Sequence, residues 1–566
     1  MLEPVPDRLL VVSNRLPLTT RRSGTEWHAD LSSGGLVAAL SPVMEQAKGL
    51  WLGWAGDAPS GDPSGRAELL RSWEKKHRFV SVDLPPKITR AFYEGYSNNT
   101  IWPLLHGFPT LVSFDQETWH AYRDANERFA AATLERTRPG DLVWIHDYQL
   151  MLVPSLLRAA RPGIKVGFFL HVPFPPPEVF RILPQRDEIL KGLLGSDLIG
   201  FQTHEHLGAF RRTLLQVLGT ESRMDRVQVG GRIVSLEAHP IGIVTDEWDR
   251  LVTEDRGVAK RIADLEARHT GRQLVLAVDR LDYTKGIPER LRAFRHFLKT
   301  RPEWRGRVTL LQVAVPSRER IPRYIELRRE VSELVGEING ELGTATWNPV
   351  IYLRRSVSRS ELAALYAAAD VAWIASLRDG MNLVAKEYVA CQQDRAGVLL
   401  LSEFAGAAGE MGEAIRINPY DASGSADALE RALMMPEDER RERQAALLTR
   451  VRRGNALAWA ERFVADLSAA VRDRDLATEE VREPQIPAIR KAFRSAKRRI
   501  CYLDYDGTLV ALAARPADAV PTAAVGEIVG ALARKRGTTV VIVSGRPAVD
   551  LDRWFGHLSS AWLAVL

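Results

Sequence analysis

The sequence predicts an α/β protein built from doubly wound, mostly parallel sheets, and three observations carry that prediction. Short, almost wholly apolar runs recur along the chain, at 9–12 (LLVV), 142–145 (LVWI), 166–170 (VGFFL), 198–201 (LIGF), 274–278 (LVLAV), 308–315 (VTLLQVAV), 371–375 (VAWIA) and 397–401 (GVLLL). Strands apolar on both faces belong in parallel sheets covered by helices. Each run leads through a loop into an amphipathic stretch, the alternation that builds open α/β sheets. At 566 residues the chain is also too long for one such sheet and predicts several domains.

Helix boundaries are legible at several points. PERLRAFRHFLK (288–299) opens on Pro288, whose missing N–H costs nothing in a first turn. Ser358 and Glu361 have capping-box spacing ahead of a helix over 358–370. The chain turns polar after HPIGIVTDEW and then starts a fresh strand series. We therefore expect a first domain over 1–244 and a second over 245–471, with the closing helix (455–471) free to pack back on the first. Residues 472–497, charged and containing Pro484 and Pro487, read as a linker. A third α/β unit spans 498–566.

Composition narrows the function. Hydrophobic residues make up 45% and charged residues 26%, as in ordinary globular chains. A net charge of +6 is too dilute at this length for a nucleic-acid surface and suits anionic small molecules. Cys391 and Cys501 cannot build a disulfide framework or a thiolate metal site and fit a reducing compartment. The N-terminal segment carries Glu3 and Asp7 ahead of its short apolar core, unlike a signal peptide, and no apolar run reaches the ~20 residues of a membrane helix. The expectation is a cytoplasmic protein without membrane or nucleic-acid partners, its oligomeric state open and compatible with a homo-oligomer.

Ligands of open α/β sheets sit beyond the carboxyl ends of the strands, so residues just after each apolar run matter most. The first run ends at Arg15. Gly34 and Gly35 then stand at a helix start, where they suit either close approach of an anion or an ordinary tight turn. In the second domain, Arg280 and Lys285 flank a loop that enters a helix, a pairing suited to a diphosphate whose charge grows as a bond to it breaks. Arg318 follows the next strand. Asp379-Gly380 ends another and leads past Asn382 into a helix whose Leu383, Val384 and Ala385 N–H groups lack intrahelical acceptors. Glu387 lies in that helix, read either as a ribose partner or as a solvated helix-face charge. The first domain adds His146, Asp147 and His171 at strand ends, with Tyr93 and Trp102 as aromatic flanks for a sugar. Neither domain has a DxD-type carboxylate pair or a His/Cys cluster, so no metal is expected there.

These residues, in the segments VVSNRLP, WIHDYQL, FFLHVPFPPPE, DRLDYTKGIPER, RDGMNLVAKEY and SEFAGAA, resemble the trehalose-6-phosphate synthase family, retaining glycosyltransferases of GT-B fold. The resemblance runs over about residues 8–475. It implies transfer of glucose from a nucleotide sugar, usually UDP-glucose, to glucose 6-phosphate without a cofactor. Carried over by position, Arg280 and Lys285 neutralise the donor diphosphate, Leu383 and Val384 complete its site, and Glu387 binds the ribose. His171 and Asp379 hold the donor glucose, with Gly34-Gly35 closing over it. Arg15, Tyr93, Trp102 and Arg318 receive the acceptor and its phosphate, and Asp147 touches acceptor hydroxyls. Such enzymes are thought to react on one face, the leaving diphosphate assisting deprotonation of the attacking hydroxyl. A related synthase with another acceptor, such as glucosylglycerol-phosphate synthase or a cyclitol pseudo-glycosyltransferase, would share most of the donor site.

The third unit resembles haloacid-dehalogenase-type phosphatases in LDYDGTL and VIVSGRP. There Asp504 is the implied nucleophile, Asp506 the acid/base that also helps bind Mg²⁺, and Ser544 a phosphate ligand. The family needs a later lysine and a further acidic pair, which nothing after Ser544 supplies. The expectation is a vestigial, inactive phosphatase unit rather than a bifunctional enzyme, with Mg²⁺ relevant only if that unit were complete.

Overall fold

The computed structural model describes residues 8–23, 26–31, 37, 40, 43–44, 47, 49–56, 63–393, 395–478, 486–511, 519–558 and 561–565. Gly34 and Gly35 lie outside the described residues. The chain forms two compact units, residues 1–478 and 479–566.

The first unit contains two sheets. Strands β1 (Leu9–Arg15), β4 (Leu50–Trp54), β5 (Phe79–Ser81), β6 (Leu142–His146), β7 (Lys165–Leu170), β8 (Leu198–Phe201), β9 (Ser222–Arg223), β10 (Arg226–Val229) and β11 (Arg232–Ala238) form one, in the order β5-β4-β1-β6-β7-β8-β11-β10-β9. A separate antiparallel hairpin pairs β2 (Leu18–Ser23) with β3 (Glu26–Leu31). The large sheet is parallel except where β10 runs against β9 and β11. The second sheet is wholly parallel: β12 (Gln273–Arg280), β13 (Val308–Val315), β14 (Val350–Leu353), β15 (Val371–Ile374), β16 (Val398–Ser402) and β17 (Ile415–Ile417), in the order β14-β13-β12-β15-β16-β17. Each apolar run of the sequence is a strand, and each buries both faces as a parallel strand must. In β1, Leu10 and Val12 face one core, while Leu9 and Val11 join a second that continues to Leu274 and Leu276 of the other sheet.

The helix Ala456–Thr478 closes the unit by packing on β7, β8 and β11, with Phe463 stacked 4.3 Å from Trp144. It runs on through the first residues of the segment read as a linker, and the helix Ile486–Ser495 occupies its later part. The chain therefore passes between the two sheets twice, and the two passages touch. The Ala456 N–H donates to the Ile243 carbonyl at 3.0 Å, and a β-carbon on Gly242 would stand 2.0 Å from the Gly454 oxygen.

The second unit has a three-stranded parallel sheet, β18 (Arg499–Asp504), β19 (Thr538–Ser544) and β20 (Ala561–Val565), in that order. Its core joins Tyr505, Val529, Val540, Ile542, Leu551 and Phe555.

Candidate active site

The carboxyl ends of both sheets in the first unit meet at a cavity of about 400 Å³. His171, Gln202 and Ile241 line it from one side, and Arg280, Lys285, Asp379, Met381, Asn382, Leu383 and Val384 from the other. The fold thus gathers six residues singled out above: His171, Arg280, Lys285, Asp379, Leu383 and Val384.

On the second side, β12 ends at the exposed Arg280 and a short turn delivers Lys285. Lys285 Nζ donates to Asp379 Oδ2 at 2.5 Å, both side chains being under 15% exposed (12% and 14%). Asn382 Nδ2 and Ser376 Oγ reach the same oxygen at 3.0 and 3.3 Å. Burial opposes ionisation of Asp379, but the charge and hydrogen bond of Lys285 and the bond from Asn382 outweigh it and hold the carboxyl below its ordinary value. The helix Leu383–Cys391 then starts from Asn382, whose backbone is left-handed (φ 78°) and whose Oδ1 caps the Ala385 N–H at 3.1 Å. Ala385 is thus not an open donor as its position suggested. The Leu383 and Val384 N–H groups precede that capped amide and remain at the positive helix end.

Gly380 serves a different purpose from the ligand approach expected of it. A β-carbon there would lie 2.1 Å from the His171 carbonyl oxygen, so the glycine lets the loop after β15 touch the loop after β7. The two sides of the cavity meet backbone to backbone at this point.

On the first side, β6 ends in His146 and Asp147. Asp147 adopts φ 75° and donates its N–H to the Phe169 carbonyl at 2.8 Å, while its carboxylate accepts from the His171 N–H at 3.3 Å. Burial pushes the Asp147 pKa up to about 6, against the pull of the Tyr148 and His171 N–H groups on its carboxylate and of Arg280 and Arg318. His146 Nδ1 and His171 Nε2 are 3.0 Å apart. Burial drives the His171 pKa down to about 3 and His146 well below its ordinary value, so both rings are neutral and one nitrogen of the pair must donate to the other.

The aromatic acceptor residues sit beside this cavity rather than in its wall. Tyr93 belongs to a wide helix with i→i+5 bonding (Arg90–Ile101), which leads directly into Trp102. The Arg318 guanidinium lies 3.9 Å from the Trp102 ring centre and that of Arg280 lies 5.5 Å from it. Arg318 is only 6% exposed and is left-handed at φ 49°. Its donors go to Asp282 at 2.8 Å, to the Tyr324 hydroxyl and to the Tyr148 hydroxyl at 3.2 Å. Arg15 stacks on Trp54 at 5.0 Å, next to Gly56. Glu387 is half-buried and accepts from the Tyr366 hydroxyl at 3.0 Å, so it is not a solvated helix-face charge. Burial raises its pKa.

Sequence reasoning passed over Gln202, Asp282, Tyr148 and Tyr324. Gln202 Oε1 accepts from the Ile241 N–H at 3.0 Å and so shapes the cavity wall. Asp282 was the legible one, since it stands between the two cations of the loop and caps Thr284 at 3.1 Å.

In the second unit Asp504 ends β18 and accepts from Thr508 Oγ1 at 3.0 Å. Ser544 Oγ lies 3.4 Å from Asp506, bringing these three residues together as their motifs required. Arg546 forks onto Asp506 at 2.6–3.1 Å and holds that carboxyl below its ordinary value. No group of three His, Cys, Asp or Glu side chains suited to a metal occurs among the described residues. With one of its two carboxylates already paired to Arg546, this constellation does not fit a divalent cation as it stands.

Known proteins match the chain along almost its whole length. Residues 7–469 match Glycosyltransferase family 20, and residues 502–565 match the Trehalose-phosphatase family. The bifunctional trehalose-6-phosphate synthase/phosphatase of Thermoproteus tenax is 43% identical over 97% of this chain and 76% of its own length. The α,α-trehalose-phosphate synthase [UDP-forming] 2 of Aspergillus niger is 43% identical over 81% of this chain and 97% of its own. Among solved structures, the Burkholderia xenovorans synthase in complex with glucose-6-phosphate superposes with a TM-score of 0.73 at 34% identity, covering 81% of this chain and 100% of that one. An E. coli chain bound with UDP-2-fluoro glucose gives 0.73 at 35% identity, covering 81% and 98%. The two facing sheets are those of the GT-B fold. The chain belongs to glycosyltransferase family 20.

Proposed function

We propose that this chain transfers glucose, with retention at the anomeric carbon, from UDP-glucose to glucose 6-phosphate and so forms trehalose 6-phosphate. The observation that carries the reading is the cavity itself. Arg280, Lys285 and the open N–H groups of Leu383 and Val384 converge on one space, while His171 faces them across it.

Cleaving a nucleotide sugar leaves two charges to stabilise, one growing on the diphosphate and one on the sugar. The cations and helix N-terminus meet the first, already in place and without reorganisation. Asp379, kept ionised by Lys285, is a negative group beside the site of the sugar and an acceptor for its hydroxyls. His171, neutral through the physiological range, offers the sugar one ring nitrogen whose protonation does not change with ordinary pH. Asp147 and the aromatic pair Tyr93 and Trp102 orient the acceptor so that its hydroxyl attacks on the face the diphosphate leaves, and orientation replaces a protein nucleophile. No step calls on a cofactor. Both cysteines are free and no helix among the described residues is long and apolar enough to cross a membrane, which supports a cytoplasmic setting.

Product analysis tests this. Incubation with UDP-glucose should yield trehalose 6-phosphate from glucose 6-phosphate and no product from glycerol 3-phosphate. The opposite preference would refute the acceptor assignment while keeping the donor site.

A further inference from the structure

We infer that Tyr148 is a positioning residue that registers the two halves of the acceptor site; this rests on the function proposed above. Tyr93 and Trp102 come from the first sheet's side of the cleft and Arg318 from the second's, so something must fix one against the other. Asp282 and Tyr324 hold the Arg318 guanidinium on its own side, at 2.8 Å in the case of Asp282. Its hydrogen bond to the opposite side is to the Tyr148 hydroxyl, at 3.2 Å. That hydroxyl in turn donates a hydrogen bond to Asn98 Oδ1 at 2.9 Å, and Asn98 Nδ2 donates to the Tyr93 carbonyl at 2.6 Å.

Every donor in this chain points the same way, from Arg318 to Tyr93, an arrangement in which each bond polarises the next. Tyr148 is 2% exposed, and the Tyr122 hydroxyl holds its carbonyl at 2.8 Å. A hydroxyl is needed at this point because one atom must both accept from a guanidinium and donate to an amide. Tyr148 touches neither substrate in this scheme. It sets where Arg318 stands over Trp102, and thereby the width of the acceptor site.

The test is Tyr148→Phe in the full chain, with Asn98→Ala breaking the same chain one bond further on. Steady-state kinetics would be read for glucose 6-phosphate and UDP-glucose separately, beside the thermal midpoint. We expect the acceptor KM to rise about tenfold in Tyr148→Phe, the scale of one lost bond to a charged group, with the donor KM within about twofold. Asn98→Ala should move in the same direction, and the double variant should be no worse than Tyr148→Phe alone. An unchanged acceptor KM, or an equal rise in both KM values, overturns the inference. If Tyr148→Phe fails to fold, Asn98→Ala decides by the same criterion. A wild-type chain inactive on these substrates overturns the function and this inference together; an active wild type with an unmoved acceptor KM in the variants overturns this inference alone.

Discussion

Replacing Lys285 with alanine separates what the Lys285–Asp379 pair does for folding from what it does for turnover. The pair is largely buried, with a 2.5 Å contact. Breaking a buried pair from one side costs about 3–5 kcal/mol, because the surviving charge is stranded. Here Asn382 and Ser376 still donate to Asp379, so the loss should fall to about 2–3 kcal/mol. Spread over a unit of 478 residues, whose unfolding entropy is about 1 kcal/mol per kelvin, that lowers the midpoint by about 2–3 °C. Turnover should fall by at least ~100-fold, the scale for losing one preorganised charge partner. The assays are a thermal scan and UDP release with both substrates. Adding Asp379→Asn to Lys285→Ala removes the stranded charge, so stability should return while turnover does not. The Asp379 pKa is depressed, so the pair stabilises above the ordinary carboxylate range and the stabilisation is lost as pH falls through the lower folded value; the midpoint gap between wild type and Lys285→Ala should close there. A Lys285→Ala enzyme with near-normal turnover would refute the diphosphate assignment. A midpoint unchanged at neutral pH would refute the buried-pair argument. Arg280→Ala makes the contrast: Arg280 is exposed, so its loss should cost comparable turnover with little change in midpoint.

Asp147, with its pKa raised to about 6 by burial, should give kcat an acid limb near that pH that Asp147→Asn abolishes. Its ionisation costs folding energy as pH rises from the ordinary value through 6, so the same variant should melt higher than wild type at pH 8; a lower midpoint would contradict this. Gly380→Ala should slow turnover severely by wedging a β-carbon 2.1 Å from the His171 carbonyl and parting the cavity walls, and wild-type kinetics in that variant would show the seam to be irrelevant. Glu387→Gln keeps an acceptor for the Tyr366 hydroxyl but loses the charge, so the donor KM should rise about tenfold with the acceptor KM unmoved. Mg²⁺-dependent phosphate release from trehalose 6-phosphate is expected to be absent while Arg546 occupies the Asp506 carboxylate, and release at a rate matching synthesis would disprove that.

The strands were legible because burial on both faces writes an unmistakable run such as VTLLQVAV. The three residues of β5 are too short to carry such a signature, whereas β4, LWLGW, is as apolar as the runs that were read and was passed over. Donor-side residues were legible for a related reason. Arg280, Lys285 and Asp379 follow buried strands directly, and an open α/β sheet puts strand ends at its ligand. What the sequence could not show was which polar groups answer one another across the cleft. Asp282 and Arg318 are 36 positions apart, and Tyr148 and Arg318 are 170. Neither separation has a period to read. Gly380 was legible as a close approach, but not what it approaches, since the nearest atom belongs to a loop more than two hundred residues earlier.

The paired passages between the sheets, where Gly242 lies against Gly454 and Ala456 bonds Ile243, have a mechanical consequence. Two covalent connections running side by side act as a pin joint. Sliding one sheet along the other, or twisting it about the long axis, would have to shear a hydrogen bond and a backbone contact that has no room to give. Swinging about the line through both passages disturbs neither. Whatever opening the cleft has is thereby directed about that line, and any such swing has to part the Gly380–His171 contact and stretch the hydrogen bond from Arg318 to Tyr148.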